Sequence, residues 1–202
     1  MIVRGLYGLA ILLLLLVGFF AFRLSQSYGV LETMPGLVAF GAPADQADVE
    51  LLAFVDYVSS FSQDVNAPLM QAVQDDGKTR LVFLPLPQAS PLSIRAAKLA
   101  LAATAQGKGL AMHEALMRNT RPLTDDVVSD IAARLELDAD RLQEDLKSPA
   151  LAKKLNTILQ ASHALRVEVT PSVIGNRRVF LRPVLDPLGL ADFVQLIKEA
   201  RH

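Results

Sequence analysis

The sequence predicts an α/β fold: a small sheet covered by helices, with an inserted all-helical block and one apolar N-terminal helix ahead of it. Three observations carry the prediction. Val49–Val55 and Thr79–Leu86 are short, nearly continuous apolar runs, as expected of strands covered on both faces. From about Pro91 to Leu165 nothing strand-like occurs, and Ala- and Leu-rich stretches recur at helical spacing. Ser172–Ile174 and Arg177–Arg182 then flank Gly175-Asn176, a hairpin signal. Composition alone leaves α/β and α+β open.

The elements follow in order. Gly5 to Phe22 is an uncharged, mostly apolar run between Arg4 and Arg23. At ~1.5 Å per residue it spans most of a ~30 Å hydrocarbon layer, because flanking arginines can snorkel. A cleaved signal peptide is the rival reading, but Phe19-Phe20-Ala21-Phe22-Arg23 offers no small-x-small site. Residues 1–23 are therefore read as an uncleaved signal-anchor that spans the membrane through residues 5–22. Arg4 and the terminal amine against Arg23 favour an exported globular part. Residues 24–36 are polar and mixed, without a sustained period, and read as a flexible tether. Residues 37–202 form the globular domain.

Within that domain Leu37–Phe40 is an edge-strand candidate ended by Gly41-Ala42-Pro43. Ser60 with Gln63 three residues on reads as a capping box opening a helix to about Gln74. Asp75–Lys78 is a turn. Helices are expected at Ser93–Gln106, Leu110–Arg118, Thr124–Leu135, Ala139–Leu146 and Pro149–Ala164, which places the helical insertion at about 91–165. Thr124, Asp138 and Pro149 supply start signals. A last amphipathic helix runs from about Leu188 to Ala200.

Composition excludes several functions. Lys plus Arg is 20 and Asp plus Glu is 21, so no basic surplus points to nucleic acid. There is no cysteine, which removes thiol redox chemistry, disulfides and thiolate metal sites together. No cofactor is implied. His113 lacks a second histidine one helical turn away, and Asp125-Asp126 and Asp138/Asp140 sit at helix starts, where they complement the dipole, so no metal site is expected.

The chain is organised around Phe54–Ser62, where a strand run stops and a helix begins. Free amides of a first helical turn favour an anion or a thiolate in front of them. The sequence there is Asp56-Tyr57-Val58-Ser59-Ser60-Phe61-Ser62. It resembles the Asp-Tyr-x-Cys-Pro-Tyr-Cys segment of the DsbA-like branch of the thioredoxin superfamily, with both cysteines and the proline replaced. Phe83-Leu84-Pro85-Leu86, Ala96-Ala97, Gln106-Gly107-Lys108, Met112–Leu116 and Val169-Thr170-Pro171 follow at family-like intervals, so the resemblance covers roughly residues 38 to 200. It implies a thioredoxin fold with a DsbA-like helical insertion, and a cis-proline at Pro171 beside the turn. The glycine common before Thr-Pro in the family is Val169 here.

No catalytic residue is expected at the degenerate positions Ser59, Ser60, Phe61 and Ser62. A helix terminus lowers a hydroxyl's pKa by little more than one unit, and no base adjoins the serines in sequence. Ser59 and Ser62 are read as capping, solvent-exposed groups, and Asp56 as a capping or hydrogen-bonded acid. Tyr57, Phe61, Val169, Thr170 and Pro171 are the partner-binding candidates, with core packing a rival for the two aromatics and a purely structural proline a rival for the loop.

The function expected is a redox-inactive, DsbA-like binding, assembly or chaperone-like module. It would be anchored in the inner membrane, with its domain in the periplasm and an envelope or membrane protein as partner. An architectural subunit working through its anchor or helical block is the alternative from another class. A serine-dependent enzyme is a third. A thiol:disulfide oxidoreductase is contradicted by the absence of cysteine.

Overall fold

A computed structural model describes residues 2–88, 90–176 and 189–202. Its four described strands are β1 (Val38–Gly41), β2 (Val49–Val55), β3 (Thr79–Pro85) and β4 (Ser172–Gly175). They form one sheet in the order β1-β3-β2-β4. β2 and β3 run parallel, while β1 on β3 and β4 on β2 are antiparallel. All of β2 except Glu50, and all of β3 except Arg80, is buried, as their apolar runs require. The Arg177–Arg182 partner strand expected after Asn176 lies outside the described residues.

The helices are α1 (Ile2–Thr33), α2 (Ser60–Asp76), α3 (Pro91–Thr104), α4 (Gly109–Met117), α5 (Asp125–Arg134), α6 (Ala139–Lys147), α7 (Pro149–Ala164) and α8 (Leu190–Arg201). Helices α3 to α7 are the inserted block. The expected caps are present: Thr124 accepts from Val127 N–H and Asp138 from Arg141 N–H, while Pro149 opens α7 behind Ser148. Helix α2 packs on α8 and on β3. Gly41, at φ +87°, ends β1 where a Cβ would meet Thr79 O at 2.4 Å and Val73 Cγ1 at 2.6 Å, so only glycine fits there.

Asn176 fastens the far end of the sheet. Its φ is +42°, which asparagine tolerates, and its Oδ1 accepts from Glu50 N–H while its Nδ2 donates to Asp48 O and Ala200 O. One side chain thus ties β4 to the start of β2 and to α8.

Of the flexible tether expected over residues 24–36, residues 24–33 are helical instead. Helix α1 continues unbroken to Thr33, and Tyr28 and Leu31 are buried in the main hydrophobic core, where the end of α1 packs on α7. Two apolar side chains at i and i+3 are enough to seat one face of a helix, whatever the polarity of its other faces. The segment from Ile11 to Leu31 is long and apolar enough to cross a membrane, and Ile11–Val17 is exposed throughout.

Candidate functional site

The turn after β2 is held by Asp56. This carboxylate is buried, and all its partners are donors. Oδ1 accepts from Val58 N–H at 3.1 Å, and Oδ2 accepts from Gln88 N–H at 2.9 Å and from the Ser93 hydroxyl at 2.8 Å. The Ser93 amide in turn donates to Ser90 Oγ, the N-cap of α3. One acid therefore joins the ends of β2 and β3 to the start of the helical block, and a carboxylate with several donors is well satisfied when buried.

Ser59, rather than Ser60, is the N-cap of α2, with extended backbone and no side-chain cap bond. The expected Ser60–Gln63 capping box does not form, because Gln63 Nε2 donates instead to Tyr57 O and Asn119 O. Ser62 is fully buried, where an exposed position was expected, and its Oγ accepts from Asp56 N–H at 3.2 Å. Packing of the first helical turn against the strand end overrides the local capping signal. Ser59 is half-buried, Ser60 is exposed and Phe61 is 51% exposed.

Tyr57 is packed in the core, the rival reading for this aromatic. It is 2% exposed, and its hydroxyl lies 3.1 Å from His113 Nδ1. His113, also buried, stacks on Phe83 with ring centroids 3.7 Å apart and places Nε2 2.8 Å from Asn66 Oδ1. A neutral imidazole donating from Nε2 to Asn66 and accepting at Nδ1 from Tyr57 satisfies all three groups. Burial, with the nearby Arg118 charge, lowers the His113 pKa to about 3, and burial pushes the Tyr57 phenol above its ordinary value. His113 thus spends both ring nitrogens on structure.

Val169 is 44% exposed, Thr170 is half-buried and Pro171 is buried. The Thr170–Pro171 peptide bond is cis. The last β2–β4 pair is Phe54 with Ser172, so the antiparallel register carries Pro171 and Thr170 past the strand end, alongside Val55 and Asp56. The structure thus brings the turn and the proline loop to the same end of the sheet. It adds residues that sequence reasoning missed. Val58 and Leu92, 41% and 42% exposed, line a cleft of about 290 Å³ together with Gln63, Asn119 and Arg121. A hydrophobic residue at the first turn of α3 was the available signal for Leu92. Asp125 and Asp126 lie in the first turn of α5 and Asp138 caps α6.

Comparison with known proteins places this geometry. Residues 50–195 match the DSBA-like thioredoxin domain family. The chain belongs to that family. A thioredoxin-like oxidoreductase from Silicibacter pomeroyi has the same fold at TM-score 0.75 and 27% identity, over 85% of this chain and 95% of that one. The thiol-disulfide exchange protein α-DsbA2 from Wolbachia pipientis superposes at TM-score 0.73 with 22% identity, over 91% of this chain and 95% of that one, a likeness of fold. In sequence, 135 residues are 27% identical to part of the Na(+)/H(+) antiporter NhaA 3 of Salinispora tropica; they are 66% of this chain and 21% of the antiporter. The chain therefore spans about a fifth of that relative. This DsbA-like domain differs from a thiol exchanger at the decisive atoms, since it has no cysteine at Ser59, Ser62 or anywhere else.

Proposed function

We propose that this is a redox-inactive DsbA-like domain, anchored in the inner membrane and facing the periplasm, that binds and holds an envelope or membrane protein. The partner would meet the face around Ser59–Ser62 and Val169–Pro171. The observation that carries the reading is a scaffold with no thiol whose turn is nonetheless ringed by exposed apolar side chains. Val58, Phe61, Leu92 and Val169 are each more than 40% exposed at that end of the domain. Exposed apolar groups clustered on one face are the usual mark of a contact surface. The neighbouring proline loop leaves backbone beyond the β4 ladder for an extended segment.

The chemistry available supports binding over catalysis. Both nitrogens of His113 are engaged by Tyr57 and Asn66, so it offers no base to Ser59, and Ser62 is buried against Asp56 N–H. Phe61→Asp and Thr170→Asp test the reading. Each should abolish partner pull-down while leaving the circular-dichroism melt within a few degrees of the parent. Pull-down that survives both substitutions, or turnover of a dithiol substrate by the purified chain, contradicts it.

One observation favours a second, architectural reading. The end of α1 is built into the core through Tyr28 and Leu31, so the anchor and the domain are coupled without a hinge. The similarity to part of an antiporter supports a setting beside a membrane transport protein. Exchange of residues 2–22 for an unrelated apolar helix separates the readings, because partner binding through the turn survives it and binding through the anchor does not.

A further inference from the structure

The cleft at the turn does not end there. Asn119, Thr120 and Arg121 also line a larger cavity of about 560 Å³ between α4 and α5. That cavity carries three guanidinium groups, Arg118, Arg121 and Arg134, in a chain whose net charge is −1. Two of them have carboxylate partners: Arg118 with the half-buried Glu114 at 2.9 Å, and Arg121 with the exposed Asp130 at 3.6 Å. Arg134 makes no ion pair among the described residues, its Nε donating to Asp130 O at 3.3 Å. Three cations thus stand beside two carboxylates at the end of a cleft that carries Val58 and Leu92.

We propose that the bound segment is an extended peptide carrying an apolar side chain followed by carboxylates. The apolar group lies between Val58 and Leu92, and the carboxylates reach Arg121, Arg134 and Arg118. This rests on the binding reading above and specifies its ligand class. An arginine fork suits a carboxylate bidentately, and an exposed ion pair such as Arg118–Glu114 contributes so little that a ligand carboxylate can replace Glu114 cheaply. The shared lining of Asn119 and Thr120 keeps the two subsites within a few residues of extended chain, at ~3.3 Å per residue.

The test uses the full chain in nanodiscs of phosphatidylcholine. Fluorescent peptides with a Leu-Phe pair beside a run of glutamates, in both chain orders, are compared with the same peptides carrying glutamines. The glutamate peptide should bind about tenfold more tightly at low salt, and high salt should erase most of that advantage. Arg134→Gln and Arg121→Gln should each reduce it about threefold, while Arg134→Lys, which keeps the charge but loses the fork, should fall between Arg134→Gln and the parent. Leu92→Asp should remove binding of both peptides. Equal binding of the two peptides, both lost in Leu92→Asp, leaves the cleft standing and overturns the acidic preference. Failure of both peptides to bind the parent chain overturns the cleft as well. Competition by phosphatidylserine vesicles against the glutamate peptide overturns the peptide assignment in favour of an anionic membrane surface, and an advantage untouched by the arginine substitutions overturns the cavity.

Discussion

Removing the titration of His113 should change how the domain responds to mild acid. The folded chain holds this imidazole neutral, with a pKa lowered to about 3 against an ordinary 6.5. The sign follows from proton counting. Between those values the unfolded chain binds a proton that the folded chain refuses, so stability is fully present above pH 6.5 and is lost as pH falls towards 3. The slope is about 1.4 kcal/mol per pH unit, which amounts to about 2 kcal/mol between pH 7 and 5. His113→Gln retains polar atoms for Tyr57 and Asn66 but cannot take up the proton. At pH 7 it should cost about 1–3 kcal/mol through lost stacking on Phe83 and imperfect hydrogen bonds. Between pH 7 and 5 it should lose about 2 kcal/mol less than the parent. Urea unfolding of the full chain in neutral detergent, followed by circular dichroism at both pH values, measures the difference. If parent and variant lose the same stability, the buried neutral imidazole is refuted.

Three further outcomes follow from the turn and the anchor. Asp56→Asn should cost about 2 kcal/mol, because an amide cannot accept from Val58, Gln88 and Ser93 together, and thermal melts should fall by several degrees. Ser62→Ala should cost about 1–3 kcal/mol by stranding the buried Asp56 N–H, while Ser59→Ala should cost under about 0.5 kcal/mol, since Ser59 makes no side-chain cap bond; paired urea titrations check the contrast. Leu31→Ala should cost about 2–5 kcal/mol in the globular unfolding transition, whereas a flexible tether would show no change.

The fold was legible because its strongest signals are local. Val49–Val55 forms a strand with those bounds, and Pro149–Ala164 a helix with those bounds, because an unbroken apolar run and a capped helical period each determine their own element. The end of α1 was not legible: Leu24 to Gly29 looks like linker, and only burial of Tyr28 and Leu31 against α7 makes it helix. The site divided in the same way. Phe61 and Val169 are exposed at the turn and its neighbouring loop. Tyr57 is withdrawn into the core by His113, a partner 56 residues away that no local pattern announces. The arginine cavity was hidden for the same reason, since Arg134 of α5 joins Arg118 and Arg121 only in the folded helical block.

On the proposed reading the turn face, stripped of its thiols, makes a stable contact with another protein. A photoreactive phenylalanine analogue placed at Phe61 or Val169, with Glu144 on α6 as the control position, tests it directly in intact membranes. One discrete crosslinked species is expected from positions 61 and 169, absent from position 144 and lost when Leu92→Asp is added. Crosslinks of equal yield from all three positions, or a species that survives Leu92→Asp, would contradict it.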